Sequence, residues 1–139
     1  MGHVFRYASK SDALGINEVS KHLGYAELSP SESFSKLQEL LISTQDHVYV
    51  AELDGRVQGW LHLFYARRLA SDNFFEIGGL VVSPEARGKG LARELVKYAL
   101  KNNEGKFRVR CNELRKDSHK FYEAIGFGSS KVQRVFQAR

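Results

Sequence analysis

The spacing of apolar positions changes period several times along the chain, and each change predicts an element. Residues 3–8 (His-Val-Phe-Arg-Tyr-Ala) alternate weakly and predict a first strand. Asp12 reads as an N-cap for a helix running to about Leu23, with Leu14, Ile16, Val19 and Leu23 as its apolar stripe and Gly24 as its stop. A second helix starts at Ser29-Pro30-Ser31-Glu32, where a capping serine, a proline at the first helical position and a capping-box glutamate coincide. Phe34, Leu37, Leu40 and Leu41 follow at helical spacing. The period then drops to two. His47–Leu53 and Arg56–Tyr65 predict a hairpin around Asp54-Gly55. After a polar stretch, 66–72, Phe74–Val82 predicts a buried strand whose Gly78-Gly79 pair marks a bulge. Gly90–Lys101 predicts a helix, Phe107–Cys111 a short strand, Lys116–Ile125 a helix ended by Gly126, and Val132–Phe136 a last strand. The order βααβββαβαβ implies an α/β (α+β) architecture, a mixed sheet with helices on both faces. No repeat or linker interrupts it, so residues 1–139 are expected to form a single domain.

Composition excludes several classes. Hydrophobic residues make up 42% and charged residues 27%, enough apolar material for a core and too much for a disordered chain. The lone Cys111 has no partner for an internal disulfide, and the scattered histidines at 3, 22, 47, 62 and 119 lack zinc spacing, so no metal site is expected. The N-terminus carries no apolar signal-peptide core, and no apolar run approaches the roughly 18 residues of a membrane span. A cytoplasmic protein with no membrane partner is the expectation. The net charge of +5 favours anionic ligands. Arg108, Arg110, Arg115 and Lys116 add a basic cluster, but no RNA- or DNA-binding motif accompanies them, so no nucleic-acid partner is expected.

The segment Leu80-Val81-Val82-Ser83-Pro84-Glu85-Ala86-Arg87-Gly88-Lys89-Gly90-Leu91-Ala92 runs from strand through loop to helix. Glycines at a helix entrance leave backbone N–H groups open, the helix dipole adds positive potential, and Arg87 and Lys89 add charge; together these suit a phosphate. A plain loop with an ordinary helix start is the competing reading. A Walker loop would require Ser or Thr after Gly88-Lys89, where Gly90 stands. A dinucleotide fingerprint would require a third glycine where Arg93 stands.

Arg87, Gly90 and Ala92 instead fill an Arg/Gln-x-x-Gly-x-Gly/Ala pattern, and Ser118-His119-Lys120-Phe121-Tyr122-Glu123-Ala124-Ile125-Gly126-Phe127 matches Ala-x-x-Phe-Tyr-x-x-x-Gly-Phe with serine for alanine. Both resemble signatures of the GNAT superfamily of N-acetyltransferases, and with the element order the resemblance covers roughly residues 3–136. It implies the GNAT fold: a mixed, mostly antiparallel sheet of six to seven strands with about four helices on both faces. It also implies acetyl-CoA as acetyl donor, lying where the fourth and fifth strands splay at the bulge. Leu80 and Val82 would pair with the pantetheine arm, and Arg87, Gly88, Lys89, Gly90, Leu91 and Ala92 would wrap the pyrophosphate. The amide of Leu80 or Val81 would polarise the thioester carbonyl.

Within the same resemblance, Tyr122 is the candidate general acid for the leaving thiolate. Arg115, Ser118, His119 and Tyr122 share one helical face, and Phe121, Ala124 and Ile125 would form the core side. Glu76, two residues before the glycine pair, is the first candidate for the base, and His62 on the third strand is the second. His119 is expected to support cofactor or helix. Many family members carry an asparagine where Arg115 stands; Asn112 lies three residues earlier, at the strand end, and would contact the pantetheine from there. The implied reaction is direct transfer in a ternary complex to an amine-bearing small molecule or peptide. Tyr25 and Glu27 would wall the acceptor site, with Trp60, Phe64 and Tyr65 adding an aromatic surface. A non-catalytic acyl-CoA-sensing module on the same fold is the alternative. Val132, Val135 and Phe136 would either close the sheet or support a homodimer.

Overall fold

The computed structural model describes residues 2–23 and 28–139. The chain divides into two compact units, Met1–Val109 and Arg110–Arg139. The first unit is built on a five-stranded sheet of sequential order. Its elements are β1 (Val4–Tyr7), α1 (Ala13–Ser20), α2 (Pro30–Ile42), β2 (Asp46–Leu53), β3 (Arg56–Ala66), β4 (Phe74–Val82), α3 (Leu91–Asn102) and β5 (Phe107–Val109). The pairings from β1 to β4 are antiparallel, whereas β4 and β5, joined through the α3 crossover, are parallel. The hairpin turn falls at Asp54-Gly55 as expected.

The strands alternate as their sequences predict. One face, carrying Val48, Val50 and Trp60, packs on α1 and α2 together with Ala8, Ala13, Ile16, Leu37 and Leu40. On the other, Tyr49 and Leu61 are fully buried, as is Leu95 of α3. Removing each such side chain from water stabilises the fold by about 1.5–3 kcal/mol. The capping box of α2 forms as read: Ser29 Oγ accepts the Glu32 N–H at 3.2 Å, and Glu32 Oε1 accepts the Ser29 N–H at 3.0 Å.

Asp12 stands at the N-cap of α1 as read, but its side chain makes no hydrogen bond to that helix; it accepts the Ser9 N–H at 2.7 Å and pairs with Arg6 at 2.8 Å. An arginine within reach is a stronger partner for a buried carboxylate than an amide alone. Three expectations are corrected. The first helix ends at Ser20 and continues to Leu23 only as a 3₁₀ turn; Gly24, its expected stop, lies outside the described residues. The fifth strand stops at Val109. The last strand does not form: 132–136 carry no regular structure, and Val132, Val135 and Phe136 are exposed. Apolar positions at 132, 135 and 136 do not alternate, so they define no strand face, and a strand needs a hydrogen-bonding neighbour. The sheet therefore has five strands among the described residues, not six or seven.

The second unit holds α4 (Lys116–Ala124). Phe121 and Ile125 are half-buried there, but Ala124, expected on the core side, is exposed. Thirty residues offer a nine-residue helix little surface to bury against.

Candidate active site

The bulge read from Gly78-Gly79 is present. Across β3 and β4, His62 pairs with Gly79 and Leu63 with Ile77, so Gly78 is the extra residue. A side chain would fit badly at either glycine. A Cβ on Gly79 would lie 2.8 Å from the Trp60 ring, and one on Gly78 3.1 Å from the Phe64 ring and 3.2 Å from His62 Nδ1. β5 pairs only with Phe75–Ile77. From Gly78 to Val82 the edge of β4 turned away from β3 has no β5 partner. The Leu80–Val82 backbone thus lies on a strand edge able to pair with an extended ligand.

At the end of β4, Ser83 is tied to β3: its N–H donates to the Gln58 carbonyl at 2.8 Å and its Oγ to Gln58 Oε1 at 2.7 Å. A 3₁₀ turn over Pro84–Ala86 then leads into Arg87, Gly88, Lys89 and Gly90, all exposed. Gly88 and Gly90 adopt φ of +79° and +75°, the left-handed region that a Cβ disfavours. Gly90 is the N-cap of α3, and no side chain caps the helix. Leu91 is buried and anchors the first turn, and Ala92 is half-buried beside it. The result is a helix terminus with no side-chain cap and with exposed Arg87, Lys89 and Arg93 close in sequence, an arrangement whose chemistry suits an anion.

His62 and Glu76 lie on the sheet face covered by α1 and α2, because β3–β4 register places Glu76 opposite Phe64, two residues from His62. Glu76 is 4% exposed, and Arg108 of β5 meets its Oε1 with Nε at 3.2 Å and Nη2 at 3.1 Å. His62 Nε2 lies 2.7 Å from Asp46 Oδ1. Beside His62 opens an apolar cavity of about 240 Å³, lined by Ile16, Leu37, Leu40, Val48 and Trp60 among others. Trp60 Nε1 donates to Ser20 Oγ at 2.9 Å, which fixes the indole along the cavity wall. Phe64 packs its ring on His62. Tyr65 departs from the expected aromatic surface. Strand alternation turns it to the opposite face, against Phe75. Tyr25 and Glu27 lie outside the described residues.

In the second unit, Asn112 Oδ1 accepts the Leu114 N–H at 2.9 Å, and the Asn112 carbonyl accepts from His119 Nε2 at 2.9 Å. His119 thereby ties α4 to the segment that precedes it. Arg115 is the exposed N-cap residue of α4. Tyr122 packs its ring edge-on against Phe121 and Phe127. Burial and the neighbouring Cys111 push its hydroxyl up to about 12, with Arg115 partly opposing them. Tyr122 therefore keeps its proton at neutral pH. Burial raises the Cys111 thiol as well, with Arg115 partly opposing it, which disfavours the thiolate form.

A model of the acetyltransferase (GNAT) family matches residues 16–127. The chain belongs to this family. An N-acetylaspartate synthetase of Xenopus tropicalis is 31% identical over 83 residues, which cover 57% of this chain and 30% of that protein. The chain thus matches under a third of the length of that relative. Among solved structures, the aminoglycoside acetyltransferase AAC(6')-Iy in complex with a bisubstrate analogue superposes with a TM-score of 0.86 at 16% identity, covering 100% of this chain and 99% of that one. A transcriptional regulator from Bacillus halodurans superposes with a TM-score of 0.83 at 18% identity, covering 98% and 99%. At such identities the superpositions establish the GNAT fold alone. The residues present fit the family's acetyl donor, acetyl-CoA. The free β4 edge beyond the bulge suits the pantetheine amides, and the uncapped, glycine-entered terminus of α3 suits the pyrophosphate.

Asp46 and Arg108 acquire their partners on neighbouring strands only through strand register, and Ser43 reaches Asp46 locally from the end of α2; periodicity does not single them out. The one local signal is that Asp46 stands at the head of a strand beside His47, near the chain reversal after α2.

Proposed function

We propose that the protein is an N-acetyltransferase that uses acetyl-CoA and moves the acetyl group directly onto the amine of a small molecule with an apolar body. One observation carries the reading: the opened β4 edge and the uncapped α3 terminus follow one another along the chain, as an extended pantetheine and its pyrophosphate require. Acetyl-CoA supplies an activated thioester. Leu80 and Val82 hold the pantetheine arm, the Leu80 or Val81 amide faces the carbonyl oxygen, and the 87–92 backbone binds the pyrophosphate with Arg87 and Lys89. Asn112, Arg115 and His119 contribute from the start of α4, and Tyr122 protonates the leaving thiolate.

The acceptor class rests on the cavity beside His62. A dry cavity of about 150 Å³ already holds benzene, so about 240 Å³ accommodates a phenylalkyl group. Its charged lining residues, among those described, are the cations Lys21 and Lys36 and the titratable His62, with no carboxylate. That suits a monoamine on an apolar stem better than a polycationic aminoglycoside.

Two measurements test the reading. A thermal melt with acetyl-CoA at 100 times its dissociation constant should gain about 2.7 kcal/mol, several degrees in Tm, with no gain from ATP. CoA release should then be followed with phenethylamine, tryptamine, free amino acids and an aminoglycoside. Transfer to phenethylamine or tryptamine supports the assignment. Tight acetyl-CoA binding with no transfer to any amine would make the protein a sensing module.

A further inference from the structure

An amine that arrives as an ammonium must lose a proton before it attacks, so the transfer reading, on which this inference rests, requires a base. Glu76 is poorly suited to that role. Arg108 holds it with two hydrogen bonds while its guanidinium stacks on Phe74, 4.1 Å from the ring centroid. Protonating this carboxylate would dismantle a largely buried ion pair.

His62 is placed for proton exchange. An ionised carboxylate only accepts hydrogen bonds, so contact with Asp46 puts the ring hydrogen on Nε2 and leaves the Nδ1 lone pair free in the neutral ring. Asp46 is itself held in place. Its Oδ2 accepts from Ser43 Oγ at 2.7 Å, and Ser43 Oγ accepts the Gln45 N–H at 3.1 Å. Burial pushes the Asp46 carboxyl up, but the hydrogen bonds from His62 and Ser43 more than offset it, so it stays ionised. The opposite edge of the ring points at the bulge: Nδ1 lies 3.2 Å from where a Cβ would stand on exposed Gly78. The same ring lines the apolar cavity. Among the described residues, the other charged groups lining the same cavity are Lys21 and Lys36; His47, adjacent to Asp46 on β2, turns to the opposite face against Tyr49, where burial biases it towards its neutral form.

We infer that Asp46 and His62 act as a pair, with His62 Nδ1 as the general base and Asp46 as the positioning residue that fixes its tautomer. His62 Nδ1 takes one proton from the acceptor ammonium and passes it to solvent. The freed nitrogen lone pair forms the C–N bond as the C–S bond breaks. The second nitrogen proton balances the one that Tyr122 delivers to sulfur. One proton is released per acetyl group transferred.

The test uses the full chain with phenethylamine as acceptor. His62→Ala should lower kcat by about 10²–10³-fold while the acetyl-CoA-induced Tm rise is retained, and imidazole at tens of millimolar should restore activity at least tenfold. His62→Gln, which keeps a donor to Asp46, serves if His62→Ala does not fold. Asp46→Asn should cost about tenfold or more in kcat with the acetyl-CoA KM unchanged, and nothing further in the His62→Ala background. Independently of any acceptor, ¹⁵N-histidine spectra should report hydrogen on Nε2 of neutral His62 and none on Nδ1. Hydrogen on Nδ1, turnover within threefold of native in His62→Ala, failure of imidazole to rescue, or additive losses in the double variant would each overturn the pair. If the native protein transfers acetyl to none of the amines, the acetyltransfer reading falls, and this assignment with it.

Discussion

Two carboxylates flank Phe64 in one row across the sheet, Asp46 from β2 and Glu76 from β4, and their partners set them apart. Glu76 meets a guanidinium, a permanent cation that takes its lone pairs and gives no proton back. Asp46 meets an imidazole, which leaves a second nitrogen facing the bulge. A buried carboxylate near a reaction centre is therefore not in itself a base. The side chain that answers it decides whether the pair holds the sheet together or exchanges a proton.

The sharpest way to break this comparison is to remove the guanidinium. Arg108→Met should destabilise the fold by about 3 kcal/mol in urea unfolding, the lower end for stripping one partner from a buried pair, because solvent reaches part of Arg108. A loss under about 1 kcal/mol would show that the pair does not hold the sheet. The two bulge glycines come next. Gly79→Ala drives a Cβ into the Trp60 ring and should cost about 1–3 kcal/mol of stability. Gly78→Ala meets looser contacts and should cost less than about 1 kcal/mol, yet lower turnover disproportionately because the methyl crowds His62 Nδ1. Equal losses of stability and turnover at both positions would contradict that division.

Asp46→Asn should then cost only about 1 kcal/mol of stability, since both members of its pair are partly exposed. Its effect on kcat should far exceed its effect on folding. The smallest expected effect is on pH dependence. The Asp46 carboxyl is held below the ordinary aspartate value of about 3.9, despite burial, by His62 and Ser43. A lowered native value means the unfolded chain binds the proton more readily. This stabilisation is present above the unfolded value and is lost as the pH falls through the native one. Chemical denaturation between pH 5 and 3, bracketing roughly that range, should show a shallower acid decline in Asp46→Asn than in the native chain.

Features that depend on near neighbours in sequence were legible. The α2 capping box, the Asp54-Gly55 turn, the Gly78 bulge and the glycine entrance to α3 are set by residues a few positions apart. The base pair was not, and the reason is one residue of register. Counting back from the turn, Leu53 faces Arg56 and Glu52 faces Val57, which extrapolates to His47 opposite His62 and turns Asp46 to the other face. A bulge beyond Glu52 shifts the count by one, so Val48 faces His62 and Asp46 faces Phe64 on the His62 side. Gln58 is the inserted residue, buried and held by Ser83. Gly59 flanks this bulge, but a single strand glycine does not say which neighbour is inserted. The contact with Ser83 accompanies the bulge, and that contact forms only once β4 is in place.

The chain by itself determined its family, most of its elements and the glycine-entered turn before α3, because local hydrogen bonds, capping and periodicity are written in short stretches of sequence. Tertiary structure decided which carboxylate is locked and which is poised. Cross-strand partners are chosen by register, and one inserted residue moves every later side chain to the opposite face of the sheet. It also decided that the tail after α4 is no strand, since the tail lacks an alternating face and extended backbone is stable only where a neighbour accepts its hydrogen bonds.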